Sequence, residues 1–535
     1  MGRNAAGESF LRGYFQYTQS DALWAQVVQR DHATAFASVA SSLGIDKPVK
    51  AFTPDQIAAS AEAGTVYYPG PDIGSLAFLR SQFGHEQWSL CGITHTTSSK
   101  NAMDAIASWL TEPIQPWDAV ICTSTAVKQH VEKILQAEVN RLKERLGITQ
   151  IKLPQLPVIP LGIHTEDFVV TAEQRVKARE TINADEETLV VLYMGRLSFH
   201  AKAHPLAMYQ ALERAAKASG KKVKLVECGW YANDYTQRAF RDAQSQACPS
   251  IEIVHLDGRD ANNREIAWGC ADVFCSLSDN IQETFGITPI EAMAAGLPVV
   301  VSDWDGYKDT VTPEVGFRIP TSTPQSGLGG DLAFRHATDI DNYDFYCGHT
   351  CSFIGVDVDA CAEAFTKLFD DAVLRKTMGE AGRQRVTALY DWSVIIPQYE
   401  ALWERLETIR NDAVKTPPQL WPTRLDPYTG FSHYATKTLG LETQIKRTVA
   451  DTEASEEILK QLLSLEMVKF AHKILPNEDA LVGLLRLVPA EFAPVDTVLV
   501  NQQDTDKAKM IRSFGVLHKL GLITLEFGKV GSAKT

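Results

Sequence analysis

From about residue 48 to residue 320 the chain alternates short apolar runs with longer amphipathic stretches. The apolar runs are Thr65–Tyr68, Trp88–Thr94, Asp118–Cys122, Leu156–Pro160, Thr188–Met194, Val223–Cys228, Ile251–Leu256, Asp272–Ser276 and Pro298–Ser302. Near-continuous apolarity of that length is the pattern of a strand buried on both faces. Between the runs, Ser99–Leu110, Ala126–Leu146 and Pro205–Ala218 repeat their apolar positions with a helical period. Strands separated by single helices predict parallel sheets wound on both faces. There are more strands than one open sheet of usual size holds, so the pattern predicts two facing Rossmann-like, doubly wound α/β domains.

The boundaries follow from breaks in that rhythm. Pro154 to Gly162 holds three prolines and a glycine and reads as a hinge. It divides a first domain, 1–162, from a second, 163–389. Residues 320–350 are rich in Gly, Ser and Thr and read as a loop inserted in the second domain. A helix over 390–410 is expected to complete the first domain. Lys415-Thr416-Pro417-Pro418 then marks a linker. Beyond it, 415–535 forms a small, mainly helical module, with helices expected at 453–473, 478–487 and 505–520 and a strand at Leu522–Glu526. That order suggests a winged-helix-like unit. One feature departs from the pattern: Asn4–Gly7 looks like a glycine-bearing loop and Ser9–Tyr17 like the helix after it, yet no strand precedes them.

Composition narrows the function. Among 535 residues, 52 Lys+Arg against 66 Asp+Glu leave a net charge of −14. Residues 412–535 carry 15 basic and 15 acidic side chains, so the acidic excess lies upstream. Such a surface is a poor platform for nucleic acid or anionic lipid. No run approaches the roughly 18 apolar residues that span a bilayer. The nine cysteines are odd in number and scattered through apolar segments, the usage expected in a reducing cytoplasm. Cys347-Gly348-His349-Thr350-Cys351 has no second ligand pair nearby, so no metal site is expected.

The densest chemical signal is Gln282-Glu283-Thr284-Phe285-Gly286-Ile287-Thr288-Pro289-Ile290-Glu291, which follows the Asp272–Ser276 strand. Ligands of doubly wound sheets bind at the carboxyl ends of strands. Gly286 lets backbone approach a ligand, and Pro289 suits the first helical turn. The amides of Gly286, Ile287 and Thr288 then face outward with the positive helix end behind them, as a phosphate requires. Glu283 and Glu291 can each accept hydrogen bonds from sugar hydroxyls. On spacing alone, Thr288 to Glu291 reads better as a capping box, with Thr288 as N-cap and Glu291 reaching back to its amide. After Thr188–Met194 come Gly195-Arg196 and, six residues on, Lys202: two cations at a strand's end, suited to a diphosphate.

These stretches together resemble the retaining GT-B glycosyltransferases of family four. The resemblance rests on Val158-Ile159-Pro160-Leu161-Gly162-Ile163-His164-Thr165-Glu166-Asp167-Phe168, on Gly195-Arg196 with Lys202, on the Glu283–Glu291 run, and on Asp391-Trp392-Ser393. It spans about residues 1–410 and overturns a capping-only role for Glu291. It implies transfer of a sugar from a nucleotide-diphosphate-sugar to a hydroxyl of a glycan, lipid-linked or other acceptor, with retention of configuration and without cofactor or metal. It assigns the diphosphate to Arg196 and Lys202, donor-sugar hydroxyls to Glu283, ribose hydroxyls to Glu291, and the phosphate and sugar cradle to Gly195, Phe285, Gly286 and Ile287. Gly258 and Arg259 are expected beside the nucleobase, and Gly7 on an acceptor-side loop. His95, after Trp88–Thr94, matches the family's active-site histidine facing the donor sugar; a polar strand-end histidine bonded to its threonine neighbours is the other reading. Asp303 and Asp305 read as turn residues, and Asp357 and Asp359 as a helix start. Membrane contact is expected to be at most peripheral, and 415–535 to serve a protein partner or self-association. The competing expectation is a catalytically silent nucleotide-sugar-binding scaffold acting through that module; an epimerase would need an acid/base set that the sequence lacks.

Overall fold

A computed structural model describes residues 2–527. The chain forms two compact units that divide between Trp421 and Pro422.

The first unit contains two lobes. In the first, β1 (Leu23–Gln26) pairs in parallel with β2 (Val49–Phe52). A separate parallel sheet runs β3 (Thr65–Tyr67), β4 (Ser89–Thr94), β5 (Ala119–Cys122). Every residue of β4 and β5 is buried, which is why they stand out in the sequence as unbroken apolar runs. Between them, the Arg80 guanidinium meets Asp118 through two bonds of 2.5 and 2.8 Å, both side chains fully buried. Asp118 also accepts from the amides of Leu90 and Gln115, so one carboxylate ties together the amino ends of both strands.

Three expectations for this lobe need correction. Asn4–Gly7 is not a loop, because the first helix runs unbroken over Gly2–Tyr17; Ala5 and Ala6 favour that conformation. β1 and β2 are only four residues long and partly exposed, too short to be recognised as strands. Leu156–Pro160 forms only isolated bridges to β5, because Pro157 and Pro160 have no N–H to give a ladder.

The second lobe is one six-stranded sheet. Its strands are β6 (Leu189–Met194), β7 (Val223–Gly229), β8 (Glu252–Asp257), β9 (Val273–Ser276), β10 (Val299–Ser302) and β11 (Gly316–Ile319), in the order β11-β10-β9-β6-β7-β8 and all parallel. The chain winds outward from β6 to one side and then returns to the other. The crevice between the carboxyl ends of β6 and β9 is therefore the switch point of the sheet.

After β11 the expected loop is largely helical. β12 (Thr321–Ser322) and β13 (Gly355–Val356) pair antiparallel and frame two helices, Gly330–Ala337 and Tyr343–Cys351. Asn342 caps the second through the Phe345 amide, and Asp341 holds both Arg335 and His349. This hairpin reaches the first lobe: the Tyr343 hydroxyl lies 3.2 Å from Thr96 Oγ1 and 3.0 Å from Ser98 Oγ, and Lys100 Nζ meets Asp339 at 2.8 Å.

Two of the stretches that carry the resemblance turn out to be architectural. Asp391 caps the helix Trp392–Asn411 and accepts from Thr165 Oγ1 at 2.6 Å, while Ile163 and Asp391 form a bridge. The Trp392 ring lies flat against Gly162, where a Cβ would come within 2.5 Å of it. The helix then packs on the first lobe, with Tyr399 beside Phe10 and Tyr67 and with Arg410 bonded to Ser89.

In the second unit, β14 (Gln444–Arg447) lies between β15 (Ala493–Pro494) and β16 (Ile523–Glu526), both antiparallel to it. The helices Thr452–Leu463, Glu478–Leu487 and Asp504–Lys519 cover a core that includes Ile445, Leu459, Leu485, Phe514 and Ile523. The helix expected over 453–473 ends at Leu463.

Candidate functional site

The switch-point crevice is floored by glycines. Gly195, Gly229 and Gly258 follow or end β6, β7 and β8, the first three strands of the lobe. The Gly195 amide bonds the Cys228 carbonyl at 3.0 Å, and the Gly258 amide bonds the Gly229 carbonyl at 3.1 Å. A Cβ on Gly229 would lie 1.9 Å from the Gly195 carbonyl oxygen, and one on Gly258 3.1 Å from the Gly229 Cα. This edge of the sheet is therefore bare backbone, packed too closely to carry side chains. Gly229 carries no motif that marks it in the sequence; its only signal is a glycine at the end of an apolar run.

Arg196 leaves β6 into the crevice. Its guanidinium donates to the Ala201 carbonyl and to Gln282 Oε1, both at 3.2 Å, and among the described residues no carboxylate pairs with it. Its positive charge is held in place but not neutralised, as an anion site requires. Lys202 Nζ donates to Glu283 Oε2 at 2.5 Å. Burial by itself raises the Glu283 pKa, but the Lys202 ammonium and the amides of Thr284 and Phe285 outweigh it and hold the carboxyl below its ordinary value. Glu283 is thus a fixed carboxylate between a cation and two amides.

The helix expected after this loop starts earlier than a capping box would allow. Gly286 is the N-cap, at φ +81°, and the helix is Ile287–Ala294. Only glycine takes that conformation readily, and a side chain there would also strike the Tyr307 ring, 1.9 Å from the Cβ position. The chain turns at Gly286, so Thr288 lies inside the helix and cannot cap it. Glu291 falls in the second turn, and its side chain makes no hydrogen bond among the described residues. The amides of Gly286, Ile287 and Thr288 precede the first intrahelical bond and stay available.

Glu291 faces Arg264 and Lys202. Burial pushes its carboxyl up to about 7 against the pull of those two cations. Arg264 donates to the Gly258 carbonyl at 2.9 Å, which places it between Glu291 and the glycine floor. A lone arginine in the helix Ala261–Cys270 gives no sequence signal. Because the fold holds the Glu291 proton more tightly than an unfolded chain does, this group's contribution to stability is full below about pH 4 and is lost as pH rises through about 7. Glu291→Gln is therefore expected to flatten the fall in stability across that window, read as urea midpoints at stepped pH.

The remaining candidates lie at the rim or outside. The His95 carbonyl accepts from Thr284 Oγ1 at 3.1 Å, which brings the end of β4 against the Glu283 loop. Arg259 folds back onto Asp257 at 2.6 Å and stays exposed, so only its backbone borders the floor. Gly7 lies in the first helix, with nothing within 4 Å of its Cβ position. It lines a first-lobe cavity that His95 also borders. Asp305 is more than a turn residue: it stands at φ +43° near Glu283, one of its oxygens is buried without a partner, and burial and then Glu283 push its pKa well up. Among the described residues no group of three or more His, Cys, Asp or Glu is placed to hold a metal ion. Nor is any helix among them long and apolar enough to cross a membrane.

Residues 174–327 match the family described as glycosyl transferases group 1. A phosphatidyl-myo-inositol mannosyltransferase of Mycobacterium leprae is 32% identical over 168 residues, 31% of this chain and 35% of that protein. A GDP-mannose-dependent monoacylated alpha-(1-6)-phosphatidylinositol monomannoside mannosyltransferase of Corynebacterium glutamicum is 28% identical, over 49% of this chain and 58% of its own length. The chain thus spans between about a third and three-fifths of these curated relatives. Among solved structures, Anabaena HepE in complex with UDP has a TM-score of 0.48 at 16% identity, covering 76% of this chain and 96% of that one. The segment that builds the crevice floor, 174–327, is thus similar to glycosyl transferases group 1.

Proposed function

We propose that this protein is a glycosyltransferase that moves a sugar from a nucleotide-diphosphate-sugar to an acceptor hydroxyl with retention of anomeric configuration. One observation carries the reading: an unneutralised guanidinium, a lysine–glutamate pair and open helix amides share the switch point of the second lobe. In this reading the donor's diphosphate binds Arg196, Lys202 and the amides of Gly286 to Thr288. Its base lies on the bare backbone at Gly195, Gly229 and Gly258, and Glu291 with Arg264 meets the ribose. Glu283 holds hydroxyls of the donor sugar, with His95 opposite.

The chemistry follows from where charge develops. As the bond from the anomeric carbon to the diphosphate lengthens, negative charge grows on the leaving oxygen, and the two cations and helix amides stabilise it. The sugar becomes oxocarbenium-like, and the acceptor hydroxyl attacks from the face the diphosphate leaves. The leaving phosphate oxygen takes the acceptor's proton. Those cations and amides suffice to carry the diphosphate charge in this scheme, without a metal. The relatives' printed names support a nucleotide-sugar donor and a lipid-linked acceptor.

The test is a thermal-shift screen with nucleoside diphosphates and their sugars, followed by turnover and NMR of the product's anomeric proton. One base is expected to raise the melting temperature, and the product to keep the donor's configuration. Glu283→Gln is expected to keep nucleotide binding and to lose about hundredfold in turnover. Binding without any turnover would favour the silent scaffold, and an inverted product would remove the retaining scheme.

A further inference from the structure

Neither Arg196 nor Lys202 belongs to a strand or helix. Both are carried by the irregular stretch between β6 and the helix Leu206–Ser219, which by itself does not hold two like charges at a fixed spacing. Three successive buried residues after β9 supply what the stretch lacks. Ser278 Oγ donates to the Lys202 carbonyl at 3.3 Å, Asp279 Oδ1 accepts from the His204 amide at 3.2 Å, and Asn280 Nδ2 donates to the His200 carbonyl at 2.9 Å. The chain is thus clamped at Lys202 and on both sides of it.

Asn280 reaches further than its neighbours. Its Oδ1 accepts from the Gln282 amide at 2.9 Å and so turns the backbone ahead of Gln282 and Glu283. Those two side chains then meet the two cations, Gln282 with Arg196 and Glu283 with Lys202. The Asn280 carbonyl accepts from the Glu283 amide at 3.2 Å and from the Trp304 indole N–H at 3.0 Å, which ties in the loop after β10. The His200 carbonyl that it holds also accepts from the Cys351 thiol of the helical hairpin. Only an amide side chain fits here. One end faces a backbone N–H and the other a backbone carbonyl, so its orientation is fixed by partners with unambiguous roles. A carboxylate of the same shape has no hydrogen to give.

We infer that Ser278 and Asn280 are positioning residues that set the spacing of Arg196 and Lys202 for a diphosphate, with Asn280 the principal one. The inference rests on the proposed nucleotide-diphosphate site and adds to it the residues that keep it in register. Neither residue touches substrate in this scheme. Their effect passes through the two cations, whose grip on a diphosphate is weakened when either moves by about 1 Å.

Calorimetry of a nucleoside and of its diphosphate tests this, in the parent chain and in Asn280→Asp. The base is the one selected by the thermal-shift screen. The nucleoside reports the glycine floor, and the ratio of the two affinities reports the cations. Asn280→Asp is expected to leave nucleoside affinity unchanged and to lower diphosphate affinity about tenfold at about pH 8.5. There the introduced carboxylate repels the His200 carbonyl and draws a cation from the phosphate. At about pH 5.5 it takes a proton and donates to His200 as the amide did, and diphosphate affinity is expected to return to within about twofold of the parent's. Burial pushes Asp279 and Glu291 up to about 7. His200, Lys202, His204, Glu283 and Cys351 also lie on the segments packed here, so variant and parent are compared at each pH. Ser278→Ala adds no charge and is expected to lower diphosphate affinity about threefold at every pH; it decides by the same ratio should Asn280→Asp fail to fold. A loss shared equally by nucleoside and diphosphate, or an Asn280→Asp loss that persists at the lower pH, would overturn the inference. Variants that match a parent able to bind both ligands would remove the positioning role alone. A parent that binds neither ligand would remove the proposed function, and this role with it.

Discussion

Lys202→Met is expected to cut sugar transfer by about 10²–10³-fold, mostly in kcat, while the protein stays folded. The ammonium is one of two cations at the switch point, and its value is greatest where charge appears on the departing diphosphate. Its loss also acts on Glu283. Without the cation, only the amides of Thr284 and Phe285 oppose the effect of burial, so the carboxyl's pKa rises and it takes a proton more readily. A protonated Glu283 loses an acceptor for sugar hydroxyls, so the variant is expected to recover less activity than added cations would restore. Turnover measured from pH 6 to 9 separates the two effects: the loss through Glu283 shrinks as pH rises, and the loss of transition-state charge stabilisation does not. A variant with unchanged kcat would remove Lys202 from the proposed chemistry.

Gly229→Ala is expected to be the most damaging single-methyl change in the second lobe. The added carbon would sit 1.9 Å from the Gly195 carbonyl oxygen, which is backbone and has no rotamer to yield. Relief requires β6 and β7 to part at their carboxyl ends, where the Gly195 amide bonds Cys228. Overpacking of this kind costs about 3 kcal/mol, read as a lower urea midpoint. Nucleotide binding is expected to disappear even in the fraction that folds, because the floor is no longer flat. Gly330→Ala makes the control: that glycine opens the helix Gly330–Ala337, lies outside the left-handed region and has open space at its Cβ position. If Gly229→Ala bound nucleotide normally, the base would have to lie elsewhere.

Much of the second lobe could be read from the sequence because β6, β7, β9 and β10 are buried on both faces, so apolarity alone marks them. The edges of the first lobe escaped that reading. Leu23–Gln26 and Val49–Phe52 are short and half-exposed, and nothing in Leu-Trp-Ala-Gln separates a strand from a helix end. The Glu283–Glu291 run pointed to the right loop, but its helix begins at Ile287 because a positive φ at Gly286 resets the start, which no spacing rule anticipates. Arg264 and Gly229 were invisible, and Asp305 was read only as a turn residue, for another reason: each gains its place from strands and helices distant in sequence. The 320–350 stretch misled because glycines at 327, 329 and 330 mask the helices that follow, although Asn342 ahead of Tyr343-Asp344-Phe345 is a capping signal.

The helical hairpin after β11 hangs from one lobe and grips the other. Its grip includes two hydroxyl contacts from Tyr343, an exposed ion pair between Lys100 and Asp339, and a bond from Lys100 to the Ala337 carbonyl. Contacts of this kind are individually weak, and the exposed pair is further screened by solvent. Thermal agitation alone can undo a clasp that weak, so the hairpin can let go of the first lobe and regain it without any external source of energy.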